Sequence, residues 1–235
     1  MPILLIIFVA IFTQAVSGFG LALVSMPLLV AMLGIQTATP LVALVAFTAE
    51  LLMLLRYRHA FNLRAVARLS AASVVGIPLG VYLLRRANPD VITAFLGVII
   101  IGYALYALFA PRLPALSHPA WAYGLGFVAG LLSGAYNTSG PPVVIYGTCR
   151  RWSPAGFKSN LQGFFLLNSC VTITVHSLSG NMTRPVLQSY LQSLPAIALG
   201  LLAGFALDKR INQPTFRRIV LILLLLLGAR LLWPI

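Results

Sequence analysis

Two clusters of small, polar and helix-breaking residues interrupt long apolar stretches of the sequence. The first is Ser17-Gly18-Phe19-Gly20, and the second runs from Asn137 to Pro142 as Asn-Thr-Ser-Gly-Pro-Pro. A helix that restarts after such a break leaves backbone N–H groups unsatisfied at its N-terminus, where they carry positive partial charge. Helix N-termini of this kind bind anions, so the two breaks predict an anion site.

Residues in and near the two breaks are the candidates for binding this anion. Glycines permit close approach of the backbone, and neighbouring hydroxyl and amide groups can donate hydrogen bonds to anionic oxygens. Neutral donors suit a carrier, because it must release its ligand as well as bind it. The alternative is that these groups only cap the broken helices. The candidates are Ser17, Gly18, Gly20, Ser25, Asn137, Thr138, Ser139 and Gly140.

Glu50 is the acidic residue that lies well inside a predicted membrane crossing. An ionisable group at that depth is a candidate for function, and here the function would be to carry a coupling proton. The alternative is an ion pair near the membrane interface, since Arg56 follows about two helical turns later.

The remaining reactive residue types form no catalytic, metal-binding or cofactor-binding pattern. Three histidines and two cysteines are scattered along the chain, and the three acidic residues lie in distant segments. A Gly-rich phosphate loop ending in Lys-Ser or Lys-Thr is also missing from the sequence, so the chain is not expected to hydrolyse ATP. We therefore predict that the protein is not an enzyme and uses no cofactor.

The composition places most of the chain in lipid. Of 235 residues, 60% are hydrophobic and only 8% are charged, and the mean hydropathy is +0.98. A soluble domain carries about a quarter charged residues, and a disordered chain is far less apolar. The formal net charge of +13 arises mainly in short loops between apolar segments. There it sets orientation, so we expect lipid contacts and no nucleic-acid partner.

The predicted elements that must position these residues are six membrane-crossing helices and two longer broken stretches. About 20 apolar residues span the hydrocarbon core, and stretches near 3–35 and 120–148 exceed that length. Irregular backbone is tolerated at membrane depth where it is buried in protein or lines a cavity. The six crossings are predicted at 40–56, 65–84, 91–110, 157–178, 187–207 and 216–234.

Loop charges favour re-entrant hairpins over crossings for the two broken stretches. If both stretches return to the side they entered, four basic residues lie on one side: Arg85, Arg86, Arg184 and Arg230. Cytoplasmic loops carry the excess of Lys and Arg, so this arrangement puts both termini outside, in the periplasm of a cell with an inner membrane. The other side then holds Arg56, Arg58, Arg64, Arg68, Arg112, Arg150, Arg151, Lys158, Lys209, Arg210, Arg217 and Arg218.

The chain also resembles itself, which predicts two inverted repeats at 1–112 and 113–235. Residues 80–88 align with 204–212, and Ser17-Gly18 with Ser133-Gly134. Each half contains one broken element and three crossings, so the second half enters the membrane from the opposite side. Inverted repeats with broken helices are typical of secondary transporters. The alternative is that the duplication only builds a stable bundle, with motifs such as Gly76-x-x-x-Gly80 allowing close helix packing.

These motifs together resemble the TauE/SafE family of sulfite and organosulfonate exporters. The resemblance rests on Ser17-Gly18-Phe19-Gly20…Pro27, on the segment from Gly126 to Pro142, and on Phe157-Lys158-Ser159-Asn160-Leu161-Gln162, and it covers essentially the whole chain. It implies an inner-membrane carrier for small sulfur-containing or carboxylated anions. It also implies that Gln162, at the start of the helix after the second break, is a neighbour of the site.

The resulting expectation is an all-α, multi-pass secondary transporter of the inner membrane. It would export small sulfur-containing anions such as sulfite or sulfoacetate by alternating access at a site between the two breaks. The alternatives are an anion channel, an importer of thiosulfate or a small carboxylate, or a partner of another membrane subunit. Direction, coupling ion and homo-oligomerisation are not encoded in any residue pattern that we identify.

Overall fold

A computed structural model describes residues 2–109, 115–116, 118–208 and 210–232. This part of the chain contains ten α-helices and one short 3-10 turn, Arg58–Ala60, with no strand. The helices are α1 (Pro2–Ser17), α2 (Leu21–Leu33), α3 (Ile35–Tyr57), α4 (Leu63–Arg86), α5 (Pro89–Phe109), α6 (Ala120–Tyr136), α7 (Gly140–Cys149), α8 (Pro154–Leu178), α9 (Arg184–Leu207) and α10 (Gln213–Leu232).

The prediction of a polytopic all-α membrane protein is confirmed. Within the described residues, five helices are long and apolar enough to cross a membrane, namely α3, α4, α5, α8 and α9. Each matches a predicted crossing to within five residues. The sixth predicted crossing corresponds to α10, which carries three arginines and is not among those five. Its predicted last residues, 233 and 234, lie outside the described part of the chain.

Both long apolar stretches are divided in two at the predicted breaks. Residues 18–20 separate α1 from α2, and residues 137–139 separate α6 from α7. Pro141 and Pro142 occupy the first turn of α7, where a helix needs no N–H group. Gly18 and Gly20 adopt positive φ angles of 83° and 110°, which a residue with a Cβ rarely tolerates.

Contacts between the halves fix the direction of each broken element. Ile11 and Ala15 of α1 pack against Gly200 and Gly204 of α9, so α1 and α9 run in the same direction. In the same way, successive residues of α4 pack against successive glycines of α6, and these two helices are also parallel. By contrast, α3 and α8 are antiparallel, since Glu50 contacts Ser169 near the middle of both helices and Ser159 near the start of α8 contacts Tyr57 at the end of α3.

These directions make each broken element a hairpin. The short connections after α3 and α8 reverse the chain, so α9 runs parallel to α3 and α4 runs parallel to α8. The helix α1 therefore runs in the direction of α3, and α2 must return between them. The same reasoning makes α6 and α7 a hairpin before α8. The inverted relation of the two halves stays a prediction, and the boundary proposed at residues 112 and 113 lies outside the described residues.

The outer face is apolar and the interior contains a cluster of polar side chains. Leu178, Leu226 and Leu202 are among the exposed apolar residues, as expected for a surface that faces lipid tails. Polar residues buried among the helices are rare in membrane proteins, and they mark a binding site or a pathway. The buried polar residues around the breaks include Gln14, Ser25, Glu50, Asn137, Thr138, Ser139 and Gln162.

Candidate functional site

The two breaks meet at one small cavity in the interior, which we call the central cavity. Its volume is about 30 Å³, and a cavity of about 10–15 Å³ already holds one water molecule. In this conformation the cavity is smaller than an organosulfonate, so such a ligand would enter only after the helices move apart. The lining residues are Gln14, Gly20, Leu21, Ala22, Leu23, Ala46, Glu50, Asn137, Thr138, Ser139, Gly140 and Phe165.

The first break supplies backbone donors to the central cavity. Gly20 holds the N-cap position of α2 and has no side chain of its own to cap the helix. The N–H of Leu21 donates to Oε1 of Gln14 at 3.2 Å. The N–H groups of Ala22 and Leu23 also belong to the first turn, which leaves them without a partner in their own helix. Positive partial charge from α2 is therefore directed at the cavity.

The second break brings Asn137, Thr138, Ser139 and Gly140 to the central cavity, while Pro141 and Pro142 of α7 have no N–H to offer. Asn137 closes α6 with a left-handed φ of 52°, and its N–H donates to the carbonyl of Ser133 at 2.8 Å. Its side chain is buried, and within the described structure its Nδ2 has no hydrogen-bond partner. The hydroxyl of Thr138 donates to the carbonyl of Tyr136 at 2.9 Å. Asn137 therefore brings a side chain with an unused donor to the lining of the cavity.

Glu50 brings a carboxyl group to the same cavity. It is buried, and its Oε2 accepts a hydrogen bond of 2.6 Å from Oγ of Ser169 in α8. The ion pair considered with Arg56 does not form in the structure. The guanidinium of Arg56 instead lies 4.5 Å from the centre of the Phe205 ring. Glu50 thus faces a space lined by anion donors.

The structure places Ser17, Gly18, Ser25 and Gln162 beside the cavity but not in its lining. The hydroxyl of Ser17 donates to the carbonyl of Thr13, and that of Ser25 donates to the carbonyl of Leu21 at 2.8 Å. These two serines are thus engaged with their own helices, as the capping alternative expects.

Gln162 of α8 forms hydrogen bonds to residues in and next to the first break. Its Nε2 donates to the carbonyl of Gly18 at 2.6 Å, and its Oε1 accepts from Nε2 of Gln14 at 3.3 Å. Gln14 in turn accepts from the N–H of Leu21. This chain of hydrogen bonds fixes the N-terminus of α2 relative to α8, so Gln162 has a positioning role in the structure.

Part of the cavity lining was not predicted from the sequence, namely Gln14, Ala46, Phe165 and the backbone of Leu21 to Leu23. Gln14 had a detectable signal, because it is a polar amide in an otherwise apolar segment, three residues before the break. Ala46 and Phe165 carried no such signal, since their contribution depends on how α3 and α8 pack. The structure brings together six of the proposed residues: Gly20, Glu50, Asn137, Thr138, Ser139 and Gly140.

Comparison with known proteins gives one family and two named relatives. The family model described as "Sulfite exporter TauE/SafE" matches residues 3–231. The "Probable sulfite/organosulfonate exporter TauE" of Cupriavidus necator is 25% identical over 227 residues, which cover 94% of this chain and 89% of the relative. The "Probable inner membrane transporter protein TsaS" of Comamonas testosteroni is 24% identical over 170 residues, 72% of this chain and 71% of that protein. No solved structure matches the chain.

Proposed function

Because the chain belongs to the TauE/SafE sulfite exporter family, we propose that it is a secondary carrier that exports small sulfur-containing anions across the inner membrane. The family is one of transporters, which makes this chain a multi-pass membrane transporter rather than an enzyme. The proposal adds the substrate class, sulfite or an organosulfonate such as sulfoacetate, and the site, the central cavity.

The observation that carries the proposal is the convergence of two helix N-termini on one buried space. The first turns of α2 and α7 both line the central cavity. The first turn of α2 presents the N–H groups of Leu21 to Leu23, whereas the prolines leave α7 with the N–H of Gly140. Both termini carry partial positive charge, which favours an anion between them. The unused Nδ2 donor of Asn137 lies at the same place. A buried donor without a partner is costly, and an anionic oxygen would satisfy it.

The donor set suits transport because its groups are neutral. Backbone N–H groups, the amide of Asn137 and the hydroxyl of Ser139 bind a sulfonate or sulfite oxygen without a full positive charge. A fully charged partner would hold the anion more strongly and slow its release. Gly20 and Gly140 let the backbone approach the ligand closely.

The small volume of the cavity supports a carrier over a channel. A channel needs a continuous path, whereas a carrier passes through states in which its site is closed. A cavity of about 30 Å³ between two hairpins fits a closed state. Opening toward either side would require the hairpins to move against the long helices, which is the motion that alternating access uses.

Glu50 is the proposed coupling residue. A carboxylate and a bound anion repel each other strongly where water is scarce. Anion binding and protonation of Glu50 therefore reinforce each other, and by linkage each raises the affinity for the other. The hydrogen bond from Ser169 holds the carboxyl of Glu50 in position beside the cavity. A proton is thus the proposed coupling ion.

The charge distribution supports an orientation with both termini outside. Eleven of the 16 basic residues lie in the connections that follow α3, α7 and α9 or in the helix ends next to those connections. Cytoplasmic loops are enriched in Lys and Arg, so these loops are assigned to the cytoplasm. Arg112 and Lys209, which belong to the twelve basic residues predicted on this side, lie outside the described residues. In this orientation export moves an anion from the basic side to the opposite side.

The direct test is ligand-induced thermal stabilisation of the purified protein with two matched variants. A ligand that binds only the folded state raises its apparent stability. We expect sulfite or sulfoacetate to stabilise the wild type more than chloride or acetate does. Asn137→Leu should weaken this by roughly 10- to 100-fold in affinity, the loss of one hydrogen bond to a charged group.

Asn168→Leu is the matched control for Asn137→Leu. Asn168 is equally an asparagine buried in the helix bundle, and both polar atoms of its side chain lack partners within the described structure. It does not line the central cavity. The control should keep the wild-type affinity. Equal affinity in the folded Asn137→Leu variant would remove Asn137 from the site, and equal stabilisation by every anion would contradict the proposed substrate class.

A further inference from the structure

A second and much larger space lies beside the first break. We call it the basic cleft. It has a volume of about 670 Å³ and lies between the end of α5, the helix α7, the start of α8 and the first turns of α10. Three cationic side chains line it, those of Lys158, Arg217 and Arg218, and no acidic residue is among its described lining.

The charges in this cleft are only partly compensated. Nζ of Lys158 lies 3.0 and 3.1 Å from the two carboxylate oxygens of Asp208, so this ammonium has a partner of opposite charge. Arg217 and Arg218 form no ion pair within the described part of the chain. Two guanidinium groups without acidic partners remain in one concave space. A guanidinium presents planar N–H donors that match the oxygens of sulfonate and sulfite.

The basic cleft and the central cavity are lined by consecutive residues of the first break. Ser17 and Phe19 line the cleft, whereas Gly20 and the start of α2 line the cavity. Phe19 packs edge-on against Tyr103 at 6.0 Å between ring centres. The two spaces are therefore neighbours across a few residues of one hairpin.

Helix α8 holds this segment in place. Lys158 donates from Nζ to the carbonyl of Val16 at 3.2 Å, and Gln162 donates to the carbonyl of Gly18 at 2.6 Å. The flanking glycines, Gly18 and Gly20, supply backbone conformations that are open to few other residues. Phe19 therefore lies at the border of the basic cleft, next to Gly20, where the lining of the central cavity begins.

We propose that the basic cleft is a second anion site, in which Arg217 and Arg218 receive the transported anion on its way to or from the central cavity. A strongly positive cleft raises the local concentration of an anion and its rate of encounter. Its open shape and water-exposed charges bind less tightly than a closed cavity does, so the anion passes on. That the anion is a sulfur oxyanion rests on the proposed function, whereas the existence of the site does not.

Trp152 offers a direct reporter because it lines the cleft and packs edge-on against Tyr146 and Phe157. The chain has three tryptophans, and Trp121→Phe with Trp233→Phe leaves Trp152 as the single tryptophan, which is excited selectively over tyrosine. Quenching by iodide reports the approach of an anion, and quenching by acrylamide reports access alone. The protein is measured in nanodiscs of phosphatidylcholine, which expose both faces and make membrane orientation irrelevant.

We expect iodide to quench Trp152 more strongly than acrylamide, and methanesulfonate to compete with iodide. Arg217→Gln with Arg218→Gln should lower the iodide-to-acrylamide ratio by roughly three- to tenfold, the effect of removing two partly screened charges. Arg85→Gln with Arg86→Gln is the matched control. It removes an adjacent arginine pair at the end of α4, outside the cleft, and should leave the ratio unchanged.

Three outcomes would overturn the proposal. The first is an unchanged ratio in the Arg217/Arg218 variant, and the second is an equal loss in the Arg85/Arg86 control. The third is that nanodisc lipid with a phosphatidylglycerol headgroup abolishes iodide quenching while methanesulfonate does not, which would make the cleft a lipid site. The Asn137→Leu variant separates the two proposals, because it should lose the central site and keep the quenching of Trp152.

Discussion

At the scale of single residues, the important juxtaposition is a carboxyl group beside donors that suit an anion. Glu50 and Asn137 line the same cavity, and the carboxyl accepts a hydrogen bond from Ser169. A negative carboxylate would oppose a second negative charge at this short range. The cavity therefore binds an anion best when Glu50 carries a proton, and the affinity for anions should depend on pH.

Glu50→Gln should remove this pH dependence. In the wild type, affinity for methanesulfonate should rise as the pH falls, because a proton on Glu50 removes the repulsion. A sulfonate stays ionised across the accessible range, so any change of affinity belongs to the protein. The neutral amide that this substitution introduces mimics the protonated acid. The variant should therefore bind at all pH values about as tightly as the wild type does at low pH. Isothermal titration calorimetry across a pH series measures the affinity of the wild type and of the variant for methanesulfonate.

Other titratable groups near α3 are accounted for by contacts of their own. On α8, Lys158 pairs with Asp208 and His176 contacts Asn181 at 2.8 Å, while on α9 Tyr190 contacts Thr48 at 2.8 Å. Cys170 is exposed. None of these lines the central cavity. If the Glu50→Gln variant keeps the wild-type pH dependence, that dependence belongs to one of these other groups. Glu50 would then be excluded as the coupling residue.

The candidate donor residues of this cavity were easier to predict from the sequence than the residues that hydrogen-bond to the site and hold it in place. Asn137 to Gly140 could be predicted because a run of small and polar residues inside an apolar stretch has a local explanation. Gln14 lay one turn before a break and was overlooked, and the partner of Glu50 was not foreseen. The Glu50–Ser169 contact spans 119 residues of sequence, so no local pattern contains it.

At the scale of helices, the parallel pair α4 and α6 is held by close backbone contact. Gly126, Gly130 and Gly134 of α6 each face backbone atoms of α4, and Gly76 and Gly80 of α4 face α6 in return. Small residues allow such approach in membranes, where van der Waals packing replaces much of the hydrophobic drive between helices. The close-packing role considered for Gly76-x-x-x-Gly80 is therefore seen in the structure.

Replacing Gly130 should destabilise this pair, whereas replacing Gly124 should not. A Cβ at Gly130 would overlap the backbone of Ser73, while a Cβ at Gly124 meets nothing within 4 Å. Both glycines lie in α6, so helix propensity changes equally. Gly130→Val should cost about 1–3 kcal/mol by overpacking, and Gly130→Ala less. Thermal unfolding in detergent, followed by far-UV circular dichroism, compares them. An equal loss of stability in Gly124→Val would refute the packing explanation.

Helix positions were predictable because membrane thickness and helix breakers act locally. The five long spans follow from a length requirement, and the hairpin breaks follow from glycine and proline. One sequence does not predict which helices pack against each other, such as α4 against α6 and α1 against α9. Four glycines have no neighbour within 4 Å of an added Cβ, among them Gly102 and Gly124, and composition does not separate them from Gly130.

At the scale of the whole molecule, the halves meet where their third helices cross. Glu50 lies 15 residues after the first residue of α3, and Ser169 lies 15 residues after the first residue of α8. Corresponding positions therefore contact each other at the interface between the halves. This is the expected behaviour of residues on a pseudo-two-fold axis, and it supports the proposed inverted repeats.

The proposed alternating-access carrier, with its site at the central cavity, should show carrier kinetics in liposomes. An alternating-access protein returns to its starting side faster when ligand occupies it, because the loaded form is the one that rearranges. Unlabelled sulfoacetate inside the vesicles should therefore accelerate uptake of labelled sulfoacetate from outside. The flux should also saturate with concentration. A channel would give flux that follows the gradient alone, without acceleration by internal ligand.

The same assay links whole-molecule behaviour to the central cavity. Asn137→Leu should abolish the acceleration, and Asn168→Leu should preserve it, because Asn137 lines the cavity and Asn168 does not. Vesicles without protein give the background. Preloading with acetate tests selectivity, since a sulfonate-selective site should respond to it weakly. Linear flux without acceleration in the folded wild type would favour the channel, and acceleration that survives in Asn137→Leu would move the transported anion to another site.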